Sequence, residues 1–349
     1  MLVTGGAGFV GCNVAASFAA EGRRVRLLDN LSRPGVERNL QWLQQRFGGL
    51  VELVQEDLAA TRHLPSVLRQ VDAVFHFAAQ VAVTTSLEDP QLDFSTNLLG
   101  TFRLLEALRQ LDAAPALVFA STNKVYGNLD SLNLQEDRQR YHCPERPAIG
   151  EDQPLLFHTP YGCSKGGAEQ YVLDYARSFG VRATVLRMSC IYGPRQCGTE
   201  DQGWVAHFLL QALRGEPISV YGNGKQVRDI LYVDDLVAAQ RAALAHIDQL
   251  AGQAWNLGGG VANAVSLLEV LDLIAAVTGT APDVHFRAAR AGDQKFYVSD
   301  HAAFSRRTGW APQVGAAEGL RRLCDWAAQH DLATLGGTAA AAVHQAASR

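Results

Sequence analysis

The stretch Leu2-Val3-Thr4-Gly5-Gly6-Ala7-Gly8-Phe9-Val10-Gly11 joins a short apolar run to an amphipathic one. The apolar run predicts a buried strand, and the residues after Gly8 predict a helix. Glycines at positions 5, 8 and 11 permit a tight turn, close approach of a pyrophosphate to the backbone and close packing of the helix. Their spacing is Gly-x-x-Gly-x-x-Gly and not the more usual Gly-x-Gly-x-x-Gly. We expect a dinucleotide-binding turn, although a generic glycine turn is the alternative.

Short apolar runs continue to alternate with amphipathic stretches through the first half of the chain. We predict strands at Met1–Thr4, Arg24–Leu28, Val51–Val54, Ala73–Phe77, Ala116–Ala120 and Arg182–Arg187, and helices near 9–20, 35–46, 62–70, 91–111 and 162–179. Strands this apolar suit burial on both faces, and their alternation with helices indicates a parallel sheet. The predicted fold class is α/β, a Rossmann-type doubly wound parallel sheet with a smaller α/β C-terminal substrate domain.

Composition narrows the classes of partner. The chain has 349 residues, 48% of them hydrophobic, with a formal net charge of −4, so neither nucleic acid nor an anionic membrane is expected as the main partner. The six cysteines form no Cys-x-x-Cys pair and lack histidines at zinc-ligand spacing, so no metal site is predicted. A signal peptide and a membrane-spanning run are also absent, and we expect a cytoplasmic protein.

Asp29 ends the second predicted strand. A carboxylate there can accept hydrogen bonds from the ribose hydroxyls of NAD and would repel a 2′-phosphate, which favours NAD over NADP. Arg33 lies close by in the sequence and complicates this preference, and a helix cap or turn residue is the alternative for Asp29. Asp57-Leu58 follows the third strand, where an adenine would lie, and Ala78-Ala79-Gln80 follows the fourth, beside the expected pyrophosphate and nicotinamide. A tight strand-to-loop turn would explain the two alanines equally well.

Tyr161 and Lys165 are four residues apart in Tyr161-Gly162-Cys163-Ser164-Lys165. On a helix this spacing places both side chains on one face, where an ammonium favours the ionised form of a neighbouring phenol. Such a phenol can remove a proton from a sugar or alcohol hydroxyl. Both residue types are common on solvated helix faces, which is the alternative for the pair taken alone.

Taken together, the glycine turn, Asp29, His76-Phe77-Ala78-Ala79, Ser121-Thr122-Asn123-Lys124-Val125-Tyr126-Gly127 and the Tyr161/Lys165 pair resemble the extended short-chain dehydrogenase/reductases that modify nucleotide sugars. The resemblance covers residues 1 to about 330. It implies Thr122, Tyr161 and Lys165 as catalytic residues. The cofactor site that it implies for NAD comprises Gly5, Gly8, Phe9, Val10, Asp29, Asn30, Ser32, Arg33, Asp57, Leu58, Ala78, Ala79, Gln80, Asn97, Tyr161 and Lys165.

Thr122-Asn123-Lys124 discriminates between activities within this superfamily. Nucleotide-sugar 4,6-dehydratases carry Thr-Asp-Glu there, and neither Asn123 nor Lys124 can replace carboxylates as an acid/base pair. The segment resembles that of CDP-paratose 2-epimerases, also called CDP-tyvelose epimerases. Further stretches similar to that family are Gln80-Val81-Ala82-Val83-Thr84-Thr85-Ser86, Asp201-Gln202-Gly203-Trp204-Val205 and Gly224-Lys225-Gln226-Val227-Arg228-Asp229.

The resemblance implies an NAD-dependent isomerase that inverts C2 of a CDP-linked deoxyhexose. NAD⁺ accepts hydride from C2 while Tyr161 takes the hydroxyl proton, and hydride returns to the other face of the 2-keto sugar. The implied substrate-binding residues are Thr84, Thr122, Asn123, Ser189, Val205, Tyr221, Arg228, Arg290 and Asp293. Arg228 and Arg290 could clamp the two phosphates, although surface salt bridges are their alternative. Cys190 is expected to line the pocket without acting as a nucleophile.

Two other activities stay open at this point. The same fold could epimerise C4 of a UDP-sugar, or the chain could be a catalytically inactive NAD-binding regulatory or scaffold protein. The resemblance also implies a homo-oligomer, a dimer or tetramer, formed through 91–111 and 162–179.

We predict an NAD-binding domain at 1–189, to which 229–259 returns, and a nucleotide-sugar-binding domain at 190–228 and 260–330. Helices are expected near 203–214, 233–247, 266–278 and 315–329. An alanine-rich tail without function is expected at 331–349.

Overall fold

The structure is a computed structural model that describes residues 1–290, 292–330, 332 and 335. The predicted tail at 331–349 lies outside the described residues except for Leu332 and Leu335. None of the helices in the described part of the chain combines the length and apolar character needed to cross a membrane.

The strands are β1 Leu2–Thr4, β2 Val25–Leu28, β3 Val51–Val54, β4 Ala73–His76, β5 Ala116–Thr122, β6 Gln135–Glu136, β7 Tyr141–His142, β8 Ala183–Met188, β9 Cys190–Tyr192, β10 Ile218–Tyr221, β11 Val227–Tyr232, β12 Ala254–Leu257, β13 Ala264–Ser266, β14 Val284–Arg287 and β15 Phe296–Tyr297. The α-helices are α1 Phe9–Ala19, α2 Val36–Phe47, α3 Leu64–Val67, α4 Val83–Glu88, α5 Pro90–Asp93, α6 Gly100–Arg109, α7 Thr159–Phe179, α8 Trp204–Arg214, α9 Val233–Ala245, α10 Ile247–Leu250, α11 Leu267–Thr278, α12 Ala302–Thr308 and α13 Ala316–Ala328. A π-helical turn, Phe94–Leu99, joins α5 to α6.

Seven parallel strands form the main sheet, in the order β12-β8-β5-β4-β1-β2-β3. Val3 in β1 pairs with Phe75 in β4, and the preceding residue, Leu2, pairs with Val74. Alternate residues point to opposite faces, so Val3 and Phe75 join one apolar cluster with α1, α2 and α9, while Leu2 and Val74 join another with α6 and α7. The sheet is covered on both faces, which confirms the predicted α/β fold class.

A second group of strands lies beyond the carboxyl ends of β5 and β8. β13, β11 and β15 form one sheet, to which β9 adds through β11, and β10 pairs with β14 in another. Helices α8, α11 and α13 pack with these strands around a third apolar cluster. Because parallel strands of the main sheet end on this side, loops of the main sheet face the second group across a cavity.

Two helices differ from their predictions, and several short elements had no individual prediction. The predicted helix at 91–111 is divided, because Pro90 starts the short α5 with Asp89 as its cap and the π-helical turn follows. The predicted helix at 62–70 is the single turn α3, which ends at Val67 with Leu68 as its C-cap. The strand β12, which had not been predicted, closes one edge of the main sheet beside β8.

Candidate active site

A cavity of about 400 Å³ lies between the main sheet and the second group of strands. Residues from both parts of the molecule line it. The predicted site residues among its lining are Phe9, Val10, Thr84, Thr122, Asn123, Tyr161, Ser189, Cys190, Val205, Tyr221, Arg228, Arg290 and Asp293. Residues that are distributed over almost the whole sequence therefore share one cavity.

The glycine turn before α1 is tightly packed. Gly5 has a φ of +64°, and a Cβ built there would lie 2.7 Å from the Ala78 amide nitrogen. A Cβ at Gly11 would collide with the Gly5 carbonyl oxygen, so a side chain fits at neither position. Helix α1 starts after Gly8 without a side-chain cap or an acidic residue in its first turn, which leaves its amide groups available to an anion. The turn fits the pyrophosphate of a dinucleotide.

Asp29 is held at the end of β2 by two backbone hydrogen bonds. The Ala7 amide donates to Oδ2 at 3.0 Å and the Leu31 amide to Oδ1 at 2.9 Å. This fixes the carboxylate beside the glycine turn, where its remaining lone pairs suit the ribose hydroxyls of NAD. Nearby, Asn30 donates to Asp57 Oδ2 at 2.8 Å, which joins the loops after β2 and β3. Ser32 and Arg33 are exposed on the same rim.

The side chains of two predicted cofactor residues are engaged in contacts within the protein. Asn97 is 1% exposed. Its Oδ1 accepts a hydrogen bond from the Gln80 backbone amide at 2.8 Å, and its Nδ2 donates to the Gln80 carbonyl at 2.9 Å. Asn97 therefore fixes the backbone after β4. In the same segment the Ala78 amide donates to Thr4 Oγ1 at 3.2 Å, and Ala79 lies between Ala78 and Gln80. The Leu58 side chain is 6% exposed and packs in an apolar cluster.

Tyr161 and Thr122 meet at the carboxyl end of β5. Tyr161 is 7% exposed, on the first turn of α7. Burial raises the pKa of Tyr161 to about 12, and a hydrogen bond with Thr122 opposes that rise. Thr122 also holds the Lys124 amide, which donates to its Oγ1 at 3.2 Å. A proton acceptor and a hydroxyl are thus paired at one end of the cavity.

Lys165 lies one turn after Tyr161 on α7 and is 4% exposed. Its Nζ donates to the Ala120 carbonyl at 2.7 Å and lies 4.4 Å from the centroid of the Phe119 ring. Burial lowers the pKa of Lys165 to about 8, opposed by the carboxylates of Glu169 and Asp93. The Lys165 ammonium donates to a carbonyl of β5, and the influence that opposes the rise of the Tyr161 pKa comes from Thr122.

A buried ion pair joins helix α7 to β8. Glu169 on α7 is 0% exposed, and its Oε1 accepts from Arg187 Nη2 at 2.5 Å. Ser121 donates to Glu169 Oε2 at 2.6 Å, and Arg187 Nη1 contacts the Tyr126 hydroxyl at 2.8 Å. No motif in the sequence signalled this network, because its members come from separate elements that are distant along the chain.

Charged residues gather at the other end of the cavity. Arg228 Nη2 lies 2.7 Å from Asp293 Oδ1. Burial would raise the pKa of Asp293, but Arg228 and Lys124 outweigh burial and hold it below its ordinary value. Arg290 Nη1 lies 3.1 Å from Asp201 Oδ1. The Arg290 guanidinium carbon lies 3.7 Å from the centroid of the Tyr221 ring.

The remaining predicted substrate residues differ in whether their polar groups are already hydrogen-bonded within the protein. The Ser189 hydroxyl donates to the Asp229 carbonyl at 2.9 Å and is committed to the protein. Asn123 donates to Gln294 Oε1 at 3.1 Å. Thr84 Oγ1 is buried and has no hydrogen-bond partner among the described residues. Burial raises the pKa of Cys190, which disfavours its thiolate.

The structure adds cavity residues that had no predicted contact with the substrate. Trp204 donates its Nε1 to Cys190 Sγ at 3.5 Å, and Glu200 accepts from the Tyr221 hydroxyl at 2.7 Å. Lys124 also lines the cavity. Its position directly after Asn123 is the sequence signal for it. The described residues contain no group of three or more side chains suited to a metal.

Comparison with known proteins places this arrangement in a family. A profile of the NAD dependent epimerase/dehydratase family matches residues 1–258. The CDP-paratose 2-epimerase of Salmonella typhi is 40% identical over 336 residues, which is 93% of this chain and 98% of that protein.

Two solved structures share the fold over most of their length. The UDP-glucose 4-epimerase of Thermus thermophilus, in complex with NAD, is 34% identical with a TM-score of 0.79, covering 93% of this chain and 97% of that one. The UDP-glucuronic acid 4-epimerase of Bacillus cereus, in complex with UDP-glucuronic acid and NAD, is 27% identical with a TM-score of 0.82, covering 94% and 98%. These matches confirm the predicted resemblance, epimerase class and NAD dependence. The chain belongs to the NAD dependent epimerase/dehydratase family.

Proposed function

We propose that this enzyme inverts C2 of a CDP-linked deoxyhexose through a transient 2-keto intermediate, as in the conversion of CDP-paratose to CDP-tyvelose. The observation that carries the proposal is the single cavity that joins Tyr161 and Thr122 at one end to Arg228, Arg290 and Asp293 at the other. An alcohol to be oxidised and a diphosphate to be held suit these two ends. The 40% identity to a CDP-paratose 2-epimerase favours C2 and CDP.

The polar groups after β5 argue against dehydration. Eliminating water needs an acid and a base in addition to the tyrosine. Asn123 is a buried amide bonded to Gln294, and Lys124 is a cation, so this segment offers neither carboxylate. Epimerisation needs only one proton-transfer group on the sugar hydroxyl, and Tyr161 supplies it.

In this proposal Tyr161 takes the proton of the reacting hydroxyl on its phenol oxygen, and Thr122 orients both groups. When bound, NAD supplies the hydride acceptor and a positive charge that favours the phenolate. Gly5, Gly8, Phe9 and Val10 would hold its pyrophosphate and Asp29 its adenosine ribose. Lys165 would hold the nicotinamide ribose, and Asn97 acts as a positioning residue through Gln80.

The walls of the cavity suit the turning of a keto sugar. Val81, Val83 and Val205 line the cavity without polar side-chain atoms. They give no directional contact to a sugar ring, whereas Arg228 and Arg290 can retain the diphosphate. The ring can then present its second face while the nucleotide stays in place.

A C4 epimerase of UDP-sugars is the second candidate, because solved structures at 27% and 34% identity have that activity in their descriptions. Incubating the purified enzyme with CDP-paratose and with UDP-glucose, and locating the inverted carbon by NMR, separates the two. An inactive scaffold is disfavoured by the intact Thr122, Tyr161 and Lys165.

We also propose a cytoplasmic homo-oligomer. All six cysteines are free thiols, which suits a reducing compartment. Large apolar side chains are exposed on neighbouring elements, including Leu92 at 48%, Phe94 at 53% and Tyr171 at 45%. Phe102 on α6 contacts Tyr171 on α7, and α5 and the π-helical turn also pack against α7, so a second copy could cover these exposed side chains.

A further inference from the structure

Lys124 is a cation in the candidate active site whose role the comparisons leave open. It lies in the short turn Asn123–Tyr126 that follows β5, two residues after Thr122. Its side chain is 21% exposed and lines the same cavity as Tyr161 and Arg228. Lysine side chains are usually exposed to solvent, so a lysine that is mostly buried in a cavity indicates a specific interaction.

The ammonium of Lys124 has weak contacts in the protein. Within the described residues its Nζ makes one hydrogen bond, to the Gly292 carbonyl at 3.4 Å, and lies 4.0 Å from Asp293 Oδ1. An ammonium carries three donors. Burial and the neighbouring Arg228 lower the pKa of Lys124 to about 8, against the opposing effect of Asp293. The group has spare donors directed toward the cavity.

The charges around Lys124 do not balance. Lys124 and Arg228 share one carboxylate, Asp293, whose closer partner is Arg228 at 2.7 Å. Arg290, by contrast, has its own acidic partner in Asp201. The three charged groups at Lys124 therefore sum to one excess positive charge inside a partly desolvated cavity, which favours an anion from outside the protein.

The position of Lys124 along the cavity indicates which anionic group of the substrate it would contact. Its backbone amide is bonded to Thr122, the partner of Tyr161, while its ammonium reaches the Arg228–Asp293 pair. The residue thus spans the distance between the reacting hydroxyl and the diphosphate. In a nucleoside diphosphate sugar that place belongs to the phosphate attached to the sugar, next to the anomeric carbon.

We propose that Lys124 binds the sugar-proximal phosphate of the nucleotide-sugar substrate. This rests on the proposed function and deepens it. The contact anchors the sugar at its anomeric end, and C2 is one bond from the anomeric carbon, whereas C4 lies across the ring. An anchor this close to Tyr161 therefore suits chemistry at C2.

The test measures the affinity of the NAD-loaded enzyme for CDP and for CMP by titration calorimetry, because CMP lacks the second phosphate. Lys124→Met removes the charge with little change of shape, and Lys124→Arg retains the charge. Lys295→Met is the matched control, since Lys295 is exposed two residues beyond Asp293. Circular dichroism and bound NAD report whether each variant is folded.

We expect Lys124→Met to weaken CDP binding about tenfold or more, the loss typical of a charge-assisted hydrogen bond, and to leave CMP within about twofold. Lys124→Arg should recover part of the CDP affinity, and Lys295→Met should match the parent enzyme. Unchanged CDP binding in Lys124→Met, or equal losses for CDP and CMP, would overturn the assignment while leaving the proposed function standing. A parent enzyme that binds neither CDP nor UDP would contradict the proposed function and the Lys124 assignment with it.

Discussion

Tyr161 is subject to two opposing influences. Burial raises its pKa to about 12, and the hydrogen bond with Thr122 lowers it, so the phenol is protonated at neutral pH until a positive charge comes near. Replacing Tyr161 with Phe removes only the hydroxyl. We expect Tyr161→Phe to lose about 10² to 10⁴ in turnover number, the usual contribution of a general acid/base, while retaining NAD.

Tyr171→Phe is the control for this substitution, because Tyr171 lies on the same helix with its side chain 45% exposed. Turnover of both variants is followed by chromatography of the nucleotide sugars. Undiminished turnover in Tyr161→Phe would remove Tyr161 from the mechanism.

Lys165 is expected to make NAD binding depend on pH. Its pKa is lowered to about 8, chiefly by burial, so the ammonium is present below that pH and is lost as the pH rises through it. A group that holds the nicotinamide ribose as an ammonium should bind NAD more weakly above pH 8. We predict that the NAD dissociation constant, measured by calorimetry between about pH 6 and 9.5, rises on the alkaline side.

Two variants separate Lys165 from other titrating groups. Lys165→Met should bind NAD more weakly and lose the alkaline rise. Lys124→Met should retain it, although the pKa of Lys124 is also about 8, because Lys124 lies near Asp293 at the other end of the cavity. An alkaline rise that persists in Lys165→Met would assign the titration to another group.

At the scale of elements, the pair Glu169–Arg187 fastens α7 to β8. Both side chains are buried, at 0% and 5% exposed, and Glu169 also accepts from Ser121. Removing one partner of such a pair leaves an uncompensated charge in the interior. We predict that Glu169→Ala lowers the free energy of unfolding by about 3 kcal/mol, measured by urea denaturation.

The double variant Glu169→Ala with Arg187→Met should be more stable than Glu169→Ala alone, because it removes the stranded charge along with its partner. If the single and double variants unfold at the same urea concentration, the pair does not stabilise the fold in this way.

Strongly periodic elements could be predicted from the sequence, and locally interrupted ones could not. β1, α1 and β2 follow from apolar runs around the glycine turn. The π-helical turn Phe94–Leu99 could not be predicted from periodicity, and its Asn97 is bonded to Gln80 in a loop that is distant along the chain. β12, Ala254–Leu257, includes Trp255 and Asn256 and is not a continuous β-branched run, so it becomes recognisable as a strand only beside its neighbour β8.

The candidate site shows the same limit. Residues of the cavity could be predicted where a motif surrounds them, as for Tyr161. Their hydrogen-bond partners could not, because these come from distant parts of the chain. Ser189 faces Asp229, and Lys124 faces Asp293, at separations that spacing does not reveal. Motifs therefore predicted which residues share the cavity better than they predicted the hydrogen bonds within it.

At the scale of the whole molecule, the exposed apolar surface on α5 to α7 predicts self-association. Leu92, Phe94 and Tyr171 are each at least 45% exposed. A charge placed among them would have to be buried on association, at high cost. We expect Phe94→Asp to convert a dimer or tetramer to a monomer in light scattering coupled to size exclusion. Val261→Asp, at another exposed apolar position, should leave the oligomer intact.

The same mass for the parent enzyme and Phe94→Asp would place the interface elsewhere or show that the chain is monomeric.

The division into domains at 1–189 with 229–259, and 190–228 with 260–330, remains a prediction. The cavity between the main sheet and the second group of strands is compatible with it.

The identity of the inverted carbon is the central question for this enzyme. The direct measurement is NMR of the products after the NAD-loaded enzyme is incubated with CDP-paratose, and separately with UDP-glucose, in the absence of added reductant. We predict inversion at C2 of the CDP-sugar, no dehydrated product, and no net change in the oxidation state of bound NAD. Inversion of UDP-glucose at C4 with CDP-paratose unchanged would contradict the proposal.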